Sequence, residues 1–283
     1  MLTSVRLDEK SPAACALTSW SERLHLCWVG TDAKLNLTSS PDGGQFAATR
    51  TLPHRTLVYD NSESDYVFTA PALAGAPEHL YLAWTGTDAS VAVLAMDSRK
   101  FFAPTVLKHR SYVSPAVAVS GSAVPVSAWV GKDRRVNLLT QPGNPAAAPV
   151  RVEQARSVVA PALCGHRGAL VLAWTGTDRR VNVLTLHEHG PGTHLRLDEA
   201  RTGDRPAICS HQGAVLVAWT GTDRRVNLMS LNENRVTAPV RLDEARSVFG
   251  PAVCSHRNML FLAWTGTDAH LNVAHLPMAS PDR

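Results

Sequence analysis

The sequence predicts an all-β fold, a six-bladed β-propeller of four-stranded antiparallel blades, from three observations. A phrase of the form Trp-x-Gly-x-Asp occurs six times, within residues 27–32, 83–88, 128–133, 173–178, 218–223 and 263–268. The last five tryptophans follow one another at intervals of 45 residues, and the first interval is 56 residues. Each repeat holds four strand-like segments, and the two chain ends carry complementary parts of one repeat. Such a period with four short strands is typical of propeller blades.

One repeat, residues 206–246, shows the four strands in order. It opens with a short apolar run and a Gln-Gly turn signal, after which residues 214–220 are apolar at consecutive positions. Consecutive apolar residues indicate a strand that is buried on both faces. A polar loop that begins with glycine precedes a third strand at residues 226–231. The fourth strand is predicted at residues 236–242, and residues 243–246 are then the connection to the next repeat.

The chain ends predict how the ring closes. Residues 5–9 match residues 240–244, which belong to the fourth strand of a repeat, and the chain stops soon after the third strand of the last repeat. We therefore expect the N-terminal strand to complete the last blade, so that residues 1–283 form a single propeller domain of six repeats. The longer first repeat has an 11-residue insertion within Thr38–Phe68, whose polar centre, Asp60–Asp65, predicts an extended surface loop.

Composition narrows the possible partners. The net charge of +4, from 28 basic and 24 acidic residues, is too small to indicate a nucleic-acid-binding surface. There is no transmembrane run and no N-terminal signal peptide, so we expect no membrane insertion and a protein that is cytoplasmic or released without a signal peptide. Four of the five cysteines, Cys15, Cys164, Cys209 and Cys254, are predicted to share one repeat position as free, buried thiols. The oligomeric state is not predicted.

No enzyme motif is present, so we expect neither catalysis nor a cofactor. The chain has no Gly-x-Ser-x-Gly elbow, no His-Glu-x-x-His and no phosphate loop. Glycosidases need two carboxylates on either side of one bond, and no pair of carboxylates differs from its copies. A lyase or hydrolase with a site at the central funnel stays a minor alternative. Its only candidate residues lie in the first insertion, namely Tyr59, Asp60, Glu63, Asp65 and Tyr66.

The repeat resembles that of a known family. A Pro-Ala-Val start, a short turn, an apolar strand and Gly-Thr-Asp-x-x-Leu recur along nearly the whole chain, and residues 251–273 (PAVCSHRNMLFLAWTGTDAHLNV) show them best. This pattern resembles the repeat of the PLL-like bacterial β-propeller lectins. The resemblance implies a propeller with carbohydrate sites in clefts between neighbouring blades, often with a preference for fucose or O-methylated sugars. That family usually carries an aromatic pair with Asp-Gly after the third strand, which this chain lacks.

Two repeated residue types are candidates for sugar contact, each with a structural alternative. The tryptophans, above all Trp174, Trp219 and Trp264, have faces that suit the apolar side of a sugar ring, or else they fill the space between blades. The repeated aspartates accept hydrogen bonds from sugar hydroxyls, or else they fix the hairpin turn through backbone N–H groups. The candidate aspartates are Asp88, Asp133, Asp178, Asp223 and Asp268, and Asp32 is the first copy. An asparagine follows four residues after most of these aspartates, and its amide contacts a ligand or else bridges neighbouring blades. These asparagines are Asn36, Asn137, Asn182, Asn227 and Asn272.

A charged face is the third candidate. The loop between strands two and three is expected to lie on the same face as the connection to the next blade. The first carries Arg135, Arg180 and Arg225, and the second carries Arg156, Arg201 and Arg246 beside Asp or Glu. Arginine forks bind carboxylates and anions, and they also bind sugar hydroxyls. The alternative is a solvated face of internal ion pairs, which contribute little.

A Cys-x-His pair is the fourth candidate. It occurs as Cys164/His166, Cys209/His211 and Cys254/His256, with the histidines expected to be exposed next to a turn. Thiolate and imidazole are zinc ligands, but each pair falls on a different blade, so repetition explains it better and we expect no metal.

The function predicted from these observations is multivalent carbohydrate binding by a tandem-repeat lectin. The expected partners are glycans or glycoconjugates, held between blades by the Gly-Thr-Asp loops, the arginines and the acidic connections. Weak single sites gain avidity when the target displays many copies of the sugar. The alternative is a scaffold whose charged face binds a protein partner.

Overall fold

The computed structural model describes residues 3–60, 66–121, 123–144, 146–187, 190–232 and 235–276. Within these ranges the strands form six antiparallel blades arranged in a ring, which confirms the predicted six-bladed β-propeller. The strands of the first half are β1 (Thr3–Lys10), β2 (Ala16–Trp20), β3 (Arg23–Val29), β4 (Lys34–Ser40), β5 (Arg50–Arg55), β6 (Val58–Asp60), β7 (Tyr66–Phe68), β8 (Ala72–Gly75), β9 (Leu80–Thr85), β10 (Ser90–Met96), β11 (Thr105–Arg110), β12 (Ala116–Val119), β13 (Pro125–Val130) and β14 (Arg135–Thr140).

The strands of the second half are β15 (Val150–Arg156), β16 (Ala162–His166), β17 (Ala169–Thr175), β18 (Arg180–His187), β19 (Gly190–Arg201), β20 (Ala207–His211), β21 (Ala214–Thr220), β22 (Arg225–Asn232), β23 (Arg235–Val236), β24 (Val240–Arg246), β25 (Ala252–His256), β26 (Met259–Thr265) and β27 (His270–Leu276). Blades I to V each take four consecutive strands, from β2–β5 to β20–β24, and blade V carries the two-residue strand β23 in addition. Blade VI is β25, β26 and β27 followed by β1.

The ring closes as the chain ends predict. Strand β1 pairs with β27, with Val5 opposite Val273 and Arg6 opposite Asn272. The inner strands of successive blades lie side by side around the ring, and β2 completes it by contacting both β8 and β25. Pairing β1 into blade VI gives that blade its outer strand, so the sequence match at residues 5–9 has a direct structural cause.

The fourth strand begins and ends later than the sequence predicts. In blade V it is Val240–Arg246 and not residues 236–242, and the segment predicted as a connection belongs to the strand. A register shift between the pairs Arg225–Arg246 and Val226–Leu242 lets the strand continue past a bulge. Ala245 is fully buried there, so the second apolar position of the strand lies beyond the bulge, where simple alternation does not place it.

The insertion and one cysteine also differ from expectation. The connection between blades I and II spans residues 56–71, whereas the next one spans residues 111–115, so the insertion lies between these two blades. Its described part is a hairpin of β6 and β7 in which Asp60 pairs with Tyr66, and residues 61–65 lie outside the described ranges. All five cysteines are free and buried, which includes the four for which this was predicted. Cys15, however, precedes β2, and Thr18 holds the repeat position of Cys164.

The blades pack on one another through their middle strands. Every residue of β17 is buried, and the second strands of the other blades are buried almost throughout. Each of the larger core clusters joins side chains of two neighbouring blades. Burial on both faces explains why these strands are apolar at consecutive positions.

The ring has two faces, which we call the loop face and the turn face. The loop face carries the loops between strands two and three together with the connections between blades, because the N–H of Thr202 donates to the carbonyl of Arg179 and the N–H of Ser157 to that of Arg134. The turn face, on the other side, carries the turns between strands one and two, such as residues 167–168 and 212–213.

Candidate functional site

The Gly-Thr-Asp loop is a turn that its own side chains fix. In blade IV the N–H of Gly176 donates to the carbonyl of Arg180 over 2.8 Å, and the N–H of Arg179 donates to the carbonyl of Gly176 over 2.9 Å. Asp178 Oδ1 accepts the N–H of Arg180 over 3.1 Å, and Asn182 Nδ2 donates to the carbonyl of Arg180 over 3.0 Å. The aspartate and the asparagine therefore stabilise one hairpin from its two ends.

The same turn recurs in all six blades. The Oδ1 atom of each repeated aspartate accepts the N–H of the residue two positions later, for Asp32, Asp88, Asp133, Asp178, Asp223 and Asp268. The pKa of the Asp88 carboxyl is lowered, first by the hydroxyl of Ser90 and then by its N–H. These bonds support the structural alternative for the aspartates, while their outer oxygens stay at the surface.

Glycine is needed in this turn for space. A Cβ atom on Gly176 would lie 2.8 Å from Asp178 Oδ1 and 2.9 Å from Asn182 Nδ2. The residue after the aspartate has a positive φ in each blade, for example 62° at Arg179. A three-residue hairpin loop built on a type I turn needs a left-handed residue at its end, so the repeated motif follows from turn geometry.

The charged side chains pair within a blade. In blade IV, Asp178 Oδ2 lies 3.3 Å from an Arg180 nitrogen and 3.5 Å from an Arg196 nitrogen. Asp198 lies 2.8 Å from Arg196 and 3.4 Å from Arg180. Blade V repeats this arrangement around Arg225. In blade III, Arg135 pairs with Glu153, and Arg151 pairs with both Asp133 and Glu153. These pairs are partly exposed, so each stabilises the fold by at most about 1 kcal/mol.

The second set of predicted arginines lies on strands and not on loops. Arg156, Arg201 and Arg246 are the last residues of β15, β19 and β24, opposite Arg135, Arg180 and Arg225 in register. All three are exposed. The structure thus brings each predicted pair of arginines together across one sheet edge, with one member in the ion-pair cluster and the other facing solvent.

A cleft on the loop face lies near the predicted position. It has a volume of about 390 Å³ and is lined by Thr202, Gly203, Thr220, Gly221 and Arg224, among others. These residues come from a Gly-Thr-Asp loop and from the connections on both sides of blade V. The arginine in its wall is Arg224, whereas the predicted Arg225 is held by Asp223 and Asp243.

The repeated tryptophans are buried. Trp174 and Trp219 are 2 % exposed, and Trp264 is 4 % exposed. Each belongs to a core cluster between two blades. Their ring faces are therefore covered by protein, which supports the alternative that they fill the spaces between blades.

Among the described residues, two clefts open on the turn face between neighbouring blades. The cleft between blades II and III has a volume of about 520 Å³. Blade II contributes Tyr81 and Phe102, while blade III contributes Gln141 and Asn144. Phe102 is 36 % exposed, and the hydroxyl of Tyr81 has no hydrogen-bond partner among the described residues. The cleft therefore combines two partly exposed aromatic side chains with polar groups, and Lys100 Nζ lies 4.9 Å from the centroid of the Phe102 ring.

A second cleft occupies the same register positions between blades IV and V. It has a volume of about 280 Å³ and is lined by His166, Thr185 and His187 of blade IV with Val215 and Leu231 of blade V. Thr185 pairs with Val171 as Ala95 pairs with Tyr81. Val215 and Leu231 likewise match Pro125 and Gln141 of blade III. Repetition of the blade thus repeats the cleft with different side chains.

Sequence alone does not single out Tyr81, Phe102, Gln141 and Asn144, because these residues are not repeated. The only signal was a substitution at a repeat position: Tyr81 stands where blades IV and V have Val171 and Leu216. An aromatic residue that replaces aliphatic ones in a strand is a sign of a special environment, but the sequence does not show that this position faces a cleft.

The Cys-x-His pairs form hydrogen bonds across the blade seams. The Nδ1 atoms of His166, His211 and His256 lie 2.7–2.8 Å from the hydroxyls of Ser210, Ser255 and Ser19 in the next blade. The expected exposure is wrong for His211 and His256, which are 3 % and 2 % exposed, because the next blade covers them. Burial raises the pKa of the Cys164 thiol to about 12, and no cluster of metal-binding side chains occurs in the described ranges.

The insertion reaches the axis of the ring. Tyr59 lies in the wall of a cavity beside the central channel, Asp60 belongs to β6, and Tyr66 is 72 % exposed. Glu63 and Asp65 fall outside the described residues. Among the predicted residues of the insertion that the structure describes, Tyr59 lies near the funnel.

Comparison with known proteins gives structural similarity only. No protein-family model matches the chain, and no curated protein matches it in sequence. A mutant of the Aleuria aurantia lectin in complex with Fucα1-6GlcNAc is similar with a TM-score of 0.69 and 9 % identity, over 98 % of this chain and 95 % of that one. AofleA from Arthrobotrys oligospora is similar with a TM-score of 0.66 and 8 % identity, over 99 % and 91 %.

A propeller enzyme is similar as well. A catalytically inactive virginiamycin B lyase from Staphylococcus aureus, solved with quinupristin, has a TM-score of 0.59 and 12 % identity, over 98 % of this chain and 99 % of that one. At these identities the similarities establish the fold. Separately, no helix within the described ranges has the length and apolar character to cross a membrane.

Proposed function

We propose that this protein is a lectin that binds carbohydrate in clefts between neighbouring blades. The observation that carries the proposal is the cleft between blades II and III, in which Tyr81 and Phe102 of one blade face Gln141 and Asn144 of the next. Its volume of about 520 Å³ falls within the range of small-molecule sites, which combine apolar walls with a few polar groups.

The chemistry of this cleft suits a sugar. A pyranose ring has one face rich in C–H groups, which packs on an aromatic ring, and hydroxyls at its edge, which need donors and acceptors. Tyr81 and Phe102 supply the rings. The Asn144 amide donates to Gln141 Oε1 over 3.2 Å, which fixes both amides, and the Gln141 nitrogen remains available to a ligand.

Multivalency follows from the repeat. The cleft between blades IV and V lies in the same register, and there the aromatic rings are replaced by His166 and His187 with Thr185. Two unequal sites on one chain raise the apparent affinity for a surface that displays many copies of a sugar. This difference between the seams predicts one stronger and one weaker site.

Two further lines support a lectin. One of the similar structures is a fucose-specific lectin from Aleuria aurantia, and the repeat resembles that of the PLL-like propeller lectins. Both support carbohydrate as the ligand class and fucose as the first sugar to test.

The loop-face set stays a second proposed contact surface. Its members are the repeated aspartates with Arg135, Arg180 and Arg225, and the exposed Arg156, Arg201 and Arg246. Arg224 replaces Arg225 as the arginine that reaches the cleft. We leave Trp174, Trp219 and Trp264 out of the contact set because their rings are covered.

A glycan array with matched variants tests the proposal. The wild type is expected to bind a group of related glycans, and Tyr81→Ala and Phe102→Ala are expected to weaken binding tenfold or more, since tenfold corresponds to 1.4 kcal/mol. Tyr66→Ala, which removes a tyrosine that is 72 % exposed on β7, is the control and should bind as the wild type does. Loss of binding only in Arg224→Ala would move the site to the loop face. No response to any glycan would overturn the proposal.

A further inference from the structure

A cavity lies on the axis of the ring, at the loop-face mouth of the central channel. Its volume is about 250 Å³, roughly the share of eight water molecules in the liquid. Aromatic side chains from three different connections form its walls: Tyr59 and Phe68 from the insertion hairpin, Tyr112 before blade III, and Phe249 before blade VI. Asp204 and Arg205, before blade V, complete it.

The cavity exists because one repeat position is small in five blades. This position lies two residues before the alanine that begins the pairing of each inner strand. In blade V it is Arg205, and in blades I, II, III, IV and VI it is Ala14, Ala70, Ser114, Ala160 and Gly250, respectively. The Arg205 side chain turns into the channel, where it donates to the carbonyls of Cys15 and Pro71 over 2.6 and 3.3 Å. Four of the small residues, Ala14, Ala70, Ser114 and Ala160, line the open space, whereas Arg205 fills the space in front of Gly250.

Three departures from the repeat meet at this cavity. The first is Tyr59, which the insertion brings to the cavity. The second is Tyr112, at a position where the later connections have Val158, Gly203 and Val248. The third is Asp204, at a position where the other two of these later connections have valine or phenylalanine. A repeat fold places equivalent positions at every seam, whereas a site on its axis occurs once. Side chains that break the repeat and converge on one cavity indicate a function that the six blades do not share.

The charged groups of the cavity are balanced, and its carboxylate has acceptor sites to spare. The Asp204 carboxylate accepts the N–H of Arg205 over 2.6 Å and that of Gly250 over 2.7 Å, and each oxygen keeps a further acceptor site. Among the described lining residues it is the one carboxylate, and Arg205 is the one cation. The hydroxyls of Tyr59 and Tyr112 have no hydrogen-bond partner among the described residues. Burial raises the pKa of Tyr59, which keeps its hydroxyl protonated.

We propose that this cavity binds one small, uncharged aromatic compound that carries an O–H or N–H group, of the phenol or indole class. Four aromatic rings suit a flat aromatic ligand in offset or edge-to-face contact. The balanced charge of Asp204 and Arg205 disfavours an ionic ligand, since an added charge would lose its hydration without gaining a counter-ion. The Asp204 carboxylate accepts the donor group of the ligand. The proposal does not depend on carbohydrate binding at the seams.

Isothermal titration calorimetry of the full chain with phenol and with indole tests this proposal. The expected result is saturable binding with one site per chain. Benzoate and a monosaccharide panel serve as comparison ligands and are not expected to compete for this site. Binding of benzoate or of a sugar in place of phenol and indole would overturn the assigned ligand class. Absence of saturable binding by either probe would overturn the site.

A matched pair of variants locates the site. Tyr112→Ala removes a ring from the cavity wall, and Val248→Ala changes the same repeat position on another connection. These side chains are 51 % and 46 % exposed, so both variants are expected to fold. The affinity for phenol and indole should fall about tenfold in Tyr112→Ala and stay unchanged in Val248→Ala. Equal affinities in the two variants would contradict binding at the channel mouth, whatever the glycan array shows.

Discussion

Arg205 donates a hydrogen bond of 2.6 Å to the carbonyl of Cys15, across the central channel and from blade V to blade I. A second bond, to the carbonyl of Pro71, reaches blade II. One buried guanidinium thus joins three blades that are not all neighbours in the ring. Burial lowers the pKa of Arg205, and the negative charge of Asp204 acts in the opposite direction. The carbonyls of Cys15 and Pro71 depend on this side chain for a hydrogen-bond donor.

Replacing this arginine is expected to destabilise the ring. Arg205→Leu leaves two buried carbonyls without donors, and each such loss costs about 1–3 kcal/mol, partly offset because a charge is no longer buried. We expect the free energy of unfolding to fall by about 2–4 kcal/mol in urea titrations followed by tryptophan fluorescence. The exposed Arg201→Ala should change it by less than about 0.5 kcal/mol. Equal effects of the two substitutions would show that the channel bonds do not stabilise the ring.

The glycine of the repeated turn gives a second prediction. Gly176→Ala places a Cβ atom within 3 Å of the side chains of Asp178 and Asn182, so the turn has to shift, at about 1–3 kcal/mol. Gly203→Ala is the control, because a Cβ atom there meets nothing within 4 Å. Thermal unfolding of the two variants should differ clearly. A Gly176→Ala protein as stable as Gly203→Ala would refute the steric explanation of the motif.

His25 predicts how stability depends on pH. Burial lowers its pKa to about 4, and both ring nitrogens are buried without hydrogen-bond partners. Between about pH 6.5 and 4, the unfolded chain binds a proton that folded His25 does not bind, so the free energy of unfolding should fall as the pH is lowered through this window. Above pH 6.5 this group contributes no pH dependence.

His25→Leu should remove this effect. The equivalent residue of blade V is Leu216, so leucine fits the repeat, and the free energy of unfolding should rise by about 1–3 kcal/mol as two unpaired nitrogens are removed. Urea titrations at pH 7 and pH 5 measure both effects. A variant that loses as much stability as the wild type between these values would assign the pH dependence to another group.

The charged face gives a fourth prediction, which separates turn-fixing from ion pairing. Asp178→Ala removes the acceptor of the Arg180 N–H and two ion pairs, and about 1 kcal/mol of stability should be lost. Arg196→Ala removes only exposed ion pairs, which are worth at most about 1 kcal/mol and are weakened by salt. Thermal unfolding at low and high salt distinguishes the two. An Arg196→Ala effect larger than that of Asp178→Ala would contradict the structural role of the aspartate.

The fold was predictable because each blade repeats the same physical requirements. A tryptophan after an apolar strand and a glycine that makes room for Asp and Asn recur at fixed spacing, and the match of residues 5–9 predicts ring closure. The fourth strand was misplaced because a bulge breaks the alternation at Ala245, and a bulge has no signal in a single sequence.

The candidate sites were less predictable, since repetition emphasises what builds the blade. The repeated tryptophans and aspartates are the most visible pattern in the sequence. In the structure the tryptophans are buried between blades and the aspartates fix turns. The clefts depend on residues such as Tyr81 and Phe102, which occur once. The connection that brings Tyr59 to the channel mouth is visible in the sequence only as an insertion, because contacts between distant connections depend on the closed ring.

A crystal of the protein soaked with the best glycan from the array is the most direct test of carbohydrate binding between blades. We expect sugar density in the cleft between blades II and III, with the ring packed on Tyr81 or Phe102 and its hydroxyls near Gln141. Density in the equivalent cleft between blades IV and V should be weaker. A sugar bound away from every seam, or no sugar at all at saturating concentration, would show that the clefts between blades are not carbohydrate sites.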